Sequence, residues 1–187
     1  KSWGIRIERC TNVNLDGIEC NHSAESNSDG VHFVDTSQVT VGSCRIKSLG
    51  DDGFIIEATN NSIADYNIGE LIIDTNNDLA FPARGFLLLG DESVASAAHI
   101  MKNIKANVVA RNCDGGAVVI AGSSYENIDI NLNSYNCNYD LQLQPGTATH
   151  NGFARNMSIV MNGHEAKTAS ISTVVTNGTI TNNHLDA

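Results

Sequence analysis

Proline is nearly missing from this chain, with 2 among 187 residues, and aromatic side chains are sparse. Basic residues are also few: 11 Lys+Arg stand against 21 Asp+Glu, a formal net charge of −10. A nucleic-acid backbone needs a basic stripe to neutralise it, and none is present, so no nucleic-acid partner is expected. No apolar run is long enough to cross a bilayer as a helix, so no membrane partner is expected either. Lys1 leads straight into Gly4-Ile5-Arg6-Ile7, which reads as a strand rather than as a basic and apolar leader. The chain is therefore expected to be a mature or excised piece of a longer one. Cys10, Cys20, Cys44, Cys113 and Cys137 include no CxxC pair, which removes the usual zinc spacing. Their odd number argues for buried thiols over a disulfide framework. No metal and no cofactor are expected.

What the chain does have is glycine, 16 in all, with abundant Asn, Ser and Thr, which favours turns and side-chain hydrogen bonding over long helices. These residues recur in a pattern. One unit opens at Gly4-Ile5-Arg6-Ile7 and returns as Gly30-Val31-His32-Phe33, Gly53-Phe54-Ile55-Ile56, Gly85-Phe86-Leu87-Leu88 and Gly116-Ala117-Val118-Val119, then more weakly as Asp140-Leu141-Gln142-Leu143. A second strand follows each, opening at Asn12-Val13, Gln38-Val39, Asn67-Ile68, Asn103-Ile104, Asn127-Ile128 and Asn156-Met157. Repeats of this length with short strands imply a solenoid. The leucine-rich consensus and the 3.6-residue periodicity of helical repeats are both lacking, so the expected fold is all-β. We expect a single-stranded parallel β-helix of about six to seven coils, one domain over residues 1–187. Only Asp91–Lys105 has helical character, and it reads as a longer loop. Cys20 and Cys44, like Cys113 and Cys137, should then stack on neighbouring turns as small buried residues.

Strand alternation sends Val31, Phe33, Phe54, Ile56, Phe86 and Leu88 inward, and Arg6, Glu8, His32, Glu57, Gln142 and Gln144 outward. Asp29 and Asp52 each precede a glycine and should sit on adjacent turns, about 4.8 Å apart, with Asp51 beside them. Carboxylates so close cannot all ionise freely, so at least one should keep its proton nearer neutral pH. A proton-holding acid next to ionised bases is what glycosidic hydrolysis requires. Two other readings stand beside it. Asp-Gly is common turn chemistry, with glycine supplying positive φ, and on that account the protein is a carbohydrate-binding fibre without turnover. A lyase or epimerase would instead hold Ca²⁺ through the aspartates and use Arg84 as the base.

Four further residues are candidate substrate contacts: Arg6, His32, Glu57 and Arg84. Arg84 falls in the column of Asp52 and would neutralise it or grip an acidic sugar. His32 would touch sugar or assist proton transfer, or else stand idle in solvent, while Glu57 would line a groove or be an ordinary solvated carboxylate. Trp3 would stack on a sugar or cap the coil. Leu87, Leu89, Val118 and Ile120 should face outward as an apolar stripe, the kind of surface a homotrimer buries.

Asn27-Ser28-Asp29-Gly30, then Val39-Thr40-Val41-Gly42-Ser43-Cys44-Arg45-Ile46, then Gly50-Asp51-Asp52-Gly53 resembles the polygalacturonase-like glycoside hydrolases of the pectin-lyase-like superfamily. Phage tailspike depolymerases carry looser versions. The resemblance implies a right-handed coil, an extracellular or virion-surface setting and a polysaccharide substrate. It also implies an inverting reaction in which Asp51 protonates the leaving oxygen while Asp29 and Asp52 activate water. Two family features have no counterpart. Pro82-Ala83-Arg84-Gly85 stands where a Gly-His-Gly belongs, and the triplet Arg45-Ile46-Lys47 precedes the paired aspartates and should lie on another face.

Overall fold

The computed structural model describes residues 2–21, 28–47, 50–75, 83–90, 99–144, 152–164, 168–171 and 178–183. These residues form fifteen strands and no helix. Numbered in chain order, seven strands lie side by side in a first sheet: β1 (Ser2–Glu8), β4 (Ser28–Val34), β6 (Phe54–Ala58), β8 (Arg84–Gly90), β10 (Gly116–Ala121), β12 (Tyr139–Gln144) and β14 (Thr168–Ile171). The second sheet runs β2 (Thr11–Leu15), β5 (Ser37–Lys47), β7 (Ile63–Asp74), β9 (Ile100–Arg111), β11 (Ser124–Tyr135), β13 (Ala154–His164) and β15 (Thr179–Asn182), with β3 (Ile18–Asn21) also pairing with β5. Every pairing is parallel. The chain thus alternates between sheets, and each strand pairs with its counterpart from the next unit. Asp91–Lys105 falls partly outside the described residues, and its end belongs to β9 rather than to a loop.

The core fills the space between the sheets because apolar residues, many of them β-branched or aromatic, occupy inner positions of the described strands. Val31 pairs with Phe54, Phe54 with Phe86 and Phe86 with Val118, all fully buried. Ring centroids of Phe33 and Phe54 are 5.5 Å apart, and those of Phe54 and Phe86 are 5.8 Å apart, so one aromatic column runs across the strands. Each such side chain contributes roughly 1.5–3 kcal/mol by leaving water.

Three expectations about register need correction. In β10 the residue opposite Arg84 is Gly116, and Val118 and Ile120 lie opposite Phe86 and Leu88. Val118 and Ile120 are therefore core residues, and the outward pair is Val119 and Ala121, because a slip of one residue exchanges the faces of a strand. The left-handed Gly116, with φ of 118°, accommodates the extra residue. Leu87 does lie on the outer row, yet it is fully buried in a cluster with Ile55 and Val119, and Leu89 packs against them. The proposed trimer stripe is thus two core residues, one covered residue and one half-buried residue. Apart from the exposed part of Leu89, its apolar area is removed from water within the chain.

In the second sheet the left-handed positions are Asn12, Gln38, Asp65, Asn103, Asn127 and Asn156, so the column passes through Asp65 and not Asn67. Short amide and carboxylate side chains tolerate this conformation and bond locally, which explains their recurrence. Asn103 donates to Asp65 Oδ1 at 2.8 Å, Asn127 to Asn103 at 2.9 Å and Asn156 to Asn127 at 3.1 Å. The cysteine pairs also differ. Cys113 and Cys137 are both fully buried and donate alike to Arg111 O and Tyr135 O, whereas Cys20 lies opposite Ile46 and Cys44 opposite Ile18. All five thiols are free.

Candidate functional site

The acidic cluster begins with two missing side chains. A Cβ built on Gly30 would stand 2.7 Å from Ile46 Cγ2 and 2.6 Å from Gly53 O; one on Gly53 would stand 2.7 Å from Ile73 Cγ2. Both glycines therefore face the core, as do Val31 and Phe54 directly after them. Two consecutive inward positions break the alternation, and the residue before each glycine turns to the outer side. That residue is Asp29 in β4 and Asp52 ahead of β6. The glycines serve by close packing, not by positive φ, which among the described glycines belongs to Gly17, Gly116 and Gly122. The turn-chemistry reading of Asp29-Gly30 is corrected on this point.

Asp29, Asp51 and Asp52 present oxygens that lie within 4.8 Å of one another. Asp29 is fully buried and Asp52 is 3% exposed, while the Asp51 side chain keeps 22% of its surface. Three anions in such a space demand positive charge, and Arg84 supplies it. Its Nε donates to Asp52 Oδ1 at 2.6 Å and its Nη2 to Asp52 Oδ2 at 2.8 Å, a two-pronged grip, with Asp51 Oδ1 3.7 Å away. Burial pushes the Asp52 carboxyl up to about 6, aided by the charges of Asp51 and Asp29 and opposed by Arg84. At neutral pH it is ionised and paired; in mild acid it takes a proton. Burial alone would lower the Arg84 value, but the carboxylates around it, Asp52 first, carry it above the usual guanidinium range.

His32 sits in the outer row, opposite Arg6 on one side and Ile55 on the other. Far from standing in solvent, it is 4% exposed. Its Nδ1 lies 3.2 Å from Asp29 Oδ2 and its Nε2 lies 2.7 Å from Glu57 Oε2. Burial would depress its basicity, yet the hydrogen bonds to Asp29 and Glu57 outweigh that and raise it. Glu57, with 23% of its side chain exposed, also accepts from Thr59 Oγ1 at 3.3 Å. It is therefore not a merely solvated carboxylate.

Arg6 stands apart from the cluster. It bonds Glu8 at 3.0 Å and stacks 4.5 Å above the Trp3 ring, on the strand bordering His32. Arg45-Ile46-Lys47 belongs to β5 in the second sheet, as expected, with Arg45 and Lys47 exposed there and Ile46 in the core. Asn27 and Pro82 lie outside the described residues. Sequence alternation missed the joining of His32 to Glu57; the signal was available, since His32 and Glu57 are outward residues on consecutive strands. Asp35 is structural: its carboxylate accepts the backbone N–H groups of Thr59, Asn60 and Asn61. Those bonds outweigh burial and hold it below the usual carboxylate range.

The structure thus brings together Asp29, Asp51, Asp52, Arg84, His32 and Glu57 and leaves Arg6 to one side. Clefts lined by Asn12, Gln38 and Asp65, and by Ile18, Arg45 and Glu70, lie on the second sheet, away from this group. No family model, curated protein or solved structure matches the chain. The class established by fold and site is an all-β chain of two parallel sheets bearing an arginine-neutralised carboxylate cluster on the outer side of one.

Proposed function

We propose that the chain is a right-handed parallel β-helix of about six to seven coils that hydrolyses an extracellular or surface polysaccharide. The alternation of strands between two parallel sheets supports the coil, and the resemblance supplies its hand. One observation carries the activity: carboxyl oxygens of Asp29, Asp51 and Asp52, brought together from two neighbouring repeats, lie within 4.8 Å of one another. Asp51, the partly exposed member, is the acid that protonates the leaving oxygen. Asp29 and Asp52, buried behind it, act as the ionised pair that orders water. The carboxylates are nearer than the roughly 6.5–9.5 Å typical of inverting sites, so water would enter at the mouth of the cluster and not between its members.

Burial of Asp29 and Asp52 and the grip of Arg84 favour a second reading, a saccharide-binding surface without turnover. Arg84, committed to Asp52, lends nothing to a lyase mechanism that needs it as a free base. The deciding experiment is release of reducing ends from a panel of acidic and neutral polysaccharides by wild type and Asp51→Asn. We expect a loss of about 10²–10⁴-fold in turnover for the variant, with the fold intact. Equal turnover overturns the acid role, and retained binding with no cleavage by wild type establishes the second reading.

A further inference from the structure

His32 has a carboxyl oxygen at each ring nitrogen, and with both of those groups ionised the arrangement has only one fully satisfied form. A neutral imidazole carries one N–H and one bare lone pair. The bare nitrogen would then face an anionic oxygen at 3.2 Å or 2.7 Å, a repulsive contact in a nearly dry setting. The doubly protonated ring donates at both ends and removes the conflict. Charged groups facing it are Asp29 on its own strand, Glu57 on β6 and Arg6 opposite it on β1. Arg6 spends its charge on Glu8 and the Trp3 ring.

Resting on the hydrolase reading for its consequence, though not for its test, a further role follows. We infer that His32 is a positioning residue whose imidazolium, anchored through Nε2 to Glu57, donates Nδ1–H to Asp29 Oδ2 and holds that buried carboxyl group aimed at the cluster. His32 does not touch substrate, because its ring is closed off from solvent. Glu57 is the outer end of the pair, reaching the surface where protons exchange. With Nε2–H kept on the shorter contact to Glu57, loss of the Nδ1 proton turns a donor at Asp29 into a lone pair and releases that carboxyl group from its orientation. The site is then assembled only while His32 is charged.

The test is an NMR pH titration of the His32 ring in wild type, Glu57→Gln and Asp29→Asn. The wild-type midpoint is expected above 6.5, with proton affinity falling about tenfold in each variant as one anionic acceptor is removed. A wild-type midpoint at or below 6.5 overturns the inference without any variant. So does a folded Glu57→Gln protein whose His32 midpoint is unchanged. If the panel of polysaccharides is cleaved, Glu57→Gln should also move the alkaline limb of the turnover profile to lower pH and leave the acid limb in place; an unmoved alkaline limb counts against the role. If nothing is cleaved, the hydrolase reading fails and the ring titration still decides this one.

Discussion

Gly30 shows how a residue chosen for what it lacks decides where its neighbour points. Its position against Ile46 leaves no space for a methyl group, and the backbone oxygen of Gly53 closes the other side. Gly30→Ala must displace one of them, and overpacking of this kind costs about 1–3 kcal/mol. We expect the alanine variant to lose that much in urea denaturation and to loosen the Asp29–His32 contact. A variant as stable as wild type would mean that the corner is not tightly packed. The Asp-Gly doublets were visible in the sequence. The reason for them was not, since positive φ and a crowded Cβ select the same residue, and only coordinates distinguish the two.

At the scale of the strand, the left-handed column of the second sheet performs two tasks with one side chain. Asn127, with φ of 55°, bends β11 and passes an amide hydrogen bond from Asn156 on to Asn103. Asn127→Gly keeps the bend and removes the ladder bonds, which should lower stability by about 1 kcal/mol. Asn127→Val removes the bonds and strains the backbone as well, for about 1–2 kcal/mol more. Thermal unfolding of the two variants separates the terms, and equal losses would show that the conformation carries no strain. Most of this column was legible as Asn or Gln before an aliphatic residue. Its β7 member was not, because Asp65-Tyr66 lacks that signature while Asn67-Ile68 mimics it one step later. Register in β10 failed for a related reason: Gly116 mimics the repeat's glycine, but the residue opposite Gly85 is Ala117, one step later.

For the molecule as a whole, three buried or partly buried groups set the pH of greatest stability. Asp52 is raised from 3.8 to about 6, so its contribution is complete below the unfolded value and is lost as pH rises through 6. That component is on the order of 3 kcal/mol. His32 is raised from 6.5, so its contribution is present below that value and is lost as pH climbs past the folded one. Asp35 is lowered from 3.8, so its contribution is present above 3.8 and disappears as pH falls through the folded value. Together they place the maximum Tm between about pH 4 and pH 5, with a decline toward pH 8. Calorimetry across that range is the check. A Tm that climbs from pH 5 to pH 7 would contradict it, and Asp52→Asn should flatten the segment from pH 4 to pH 6.

The sequence by itself determined that the chain is all-β, that its units repeat every 23 to 32 residues and that Asp29 and Asp52 recur at matching places with Asp51 beside them. Periodicity and composition are local properties, so they can be read before anything folds. Tertiary structure decided how the repeats align across strands, and with it which apolar residues are core. It also decided that Arg84 grips Asp52 and that His32 is closed in between two carboxylates. Those facts depend on distances between neighbouring strands and on the loss of water, and neither quantity exists in an unfolded chain.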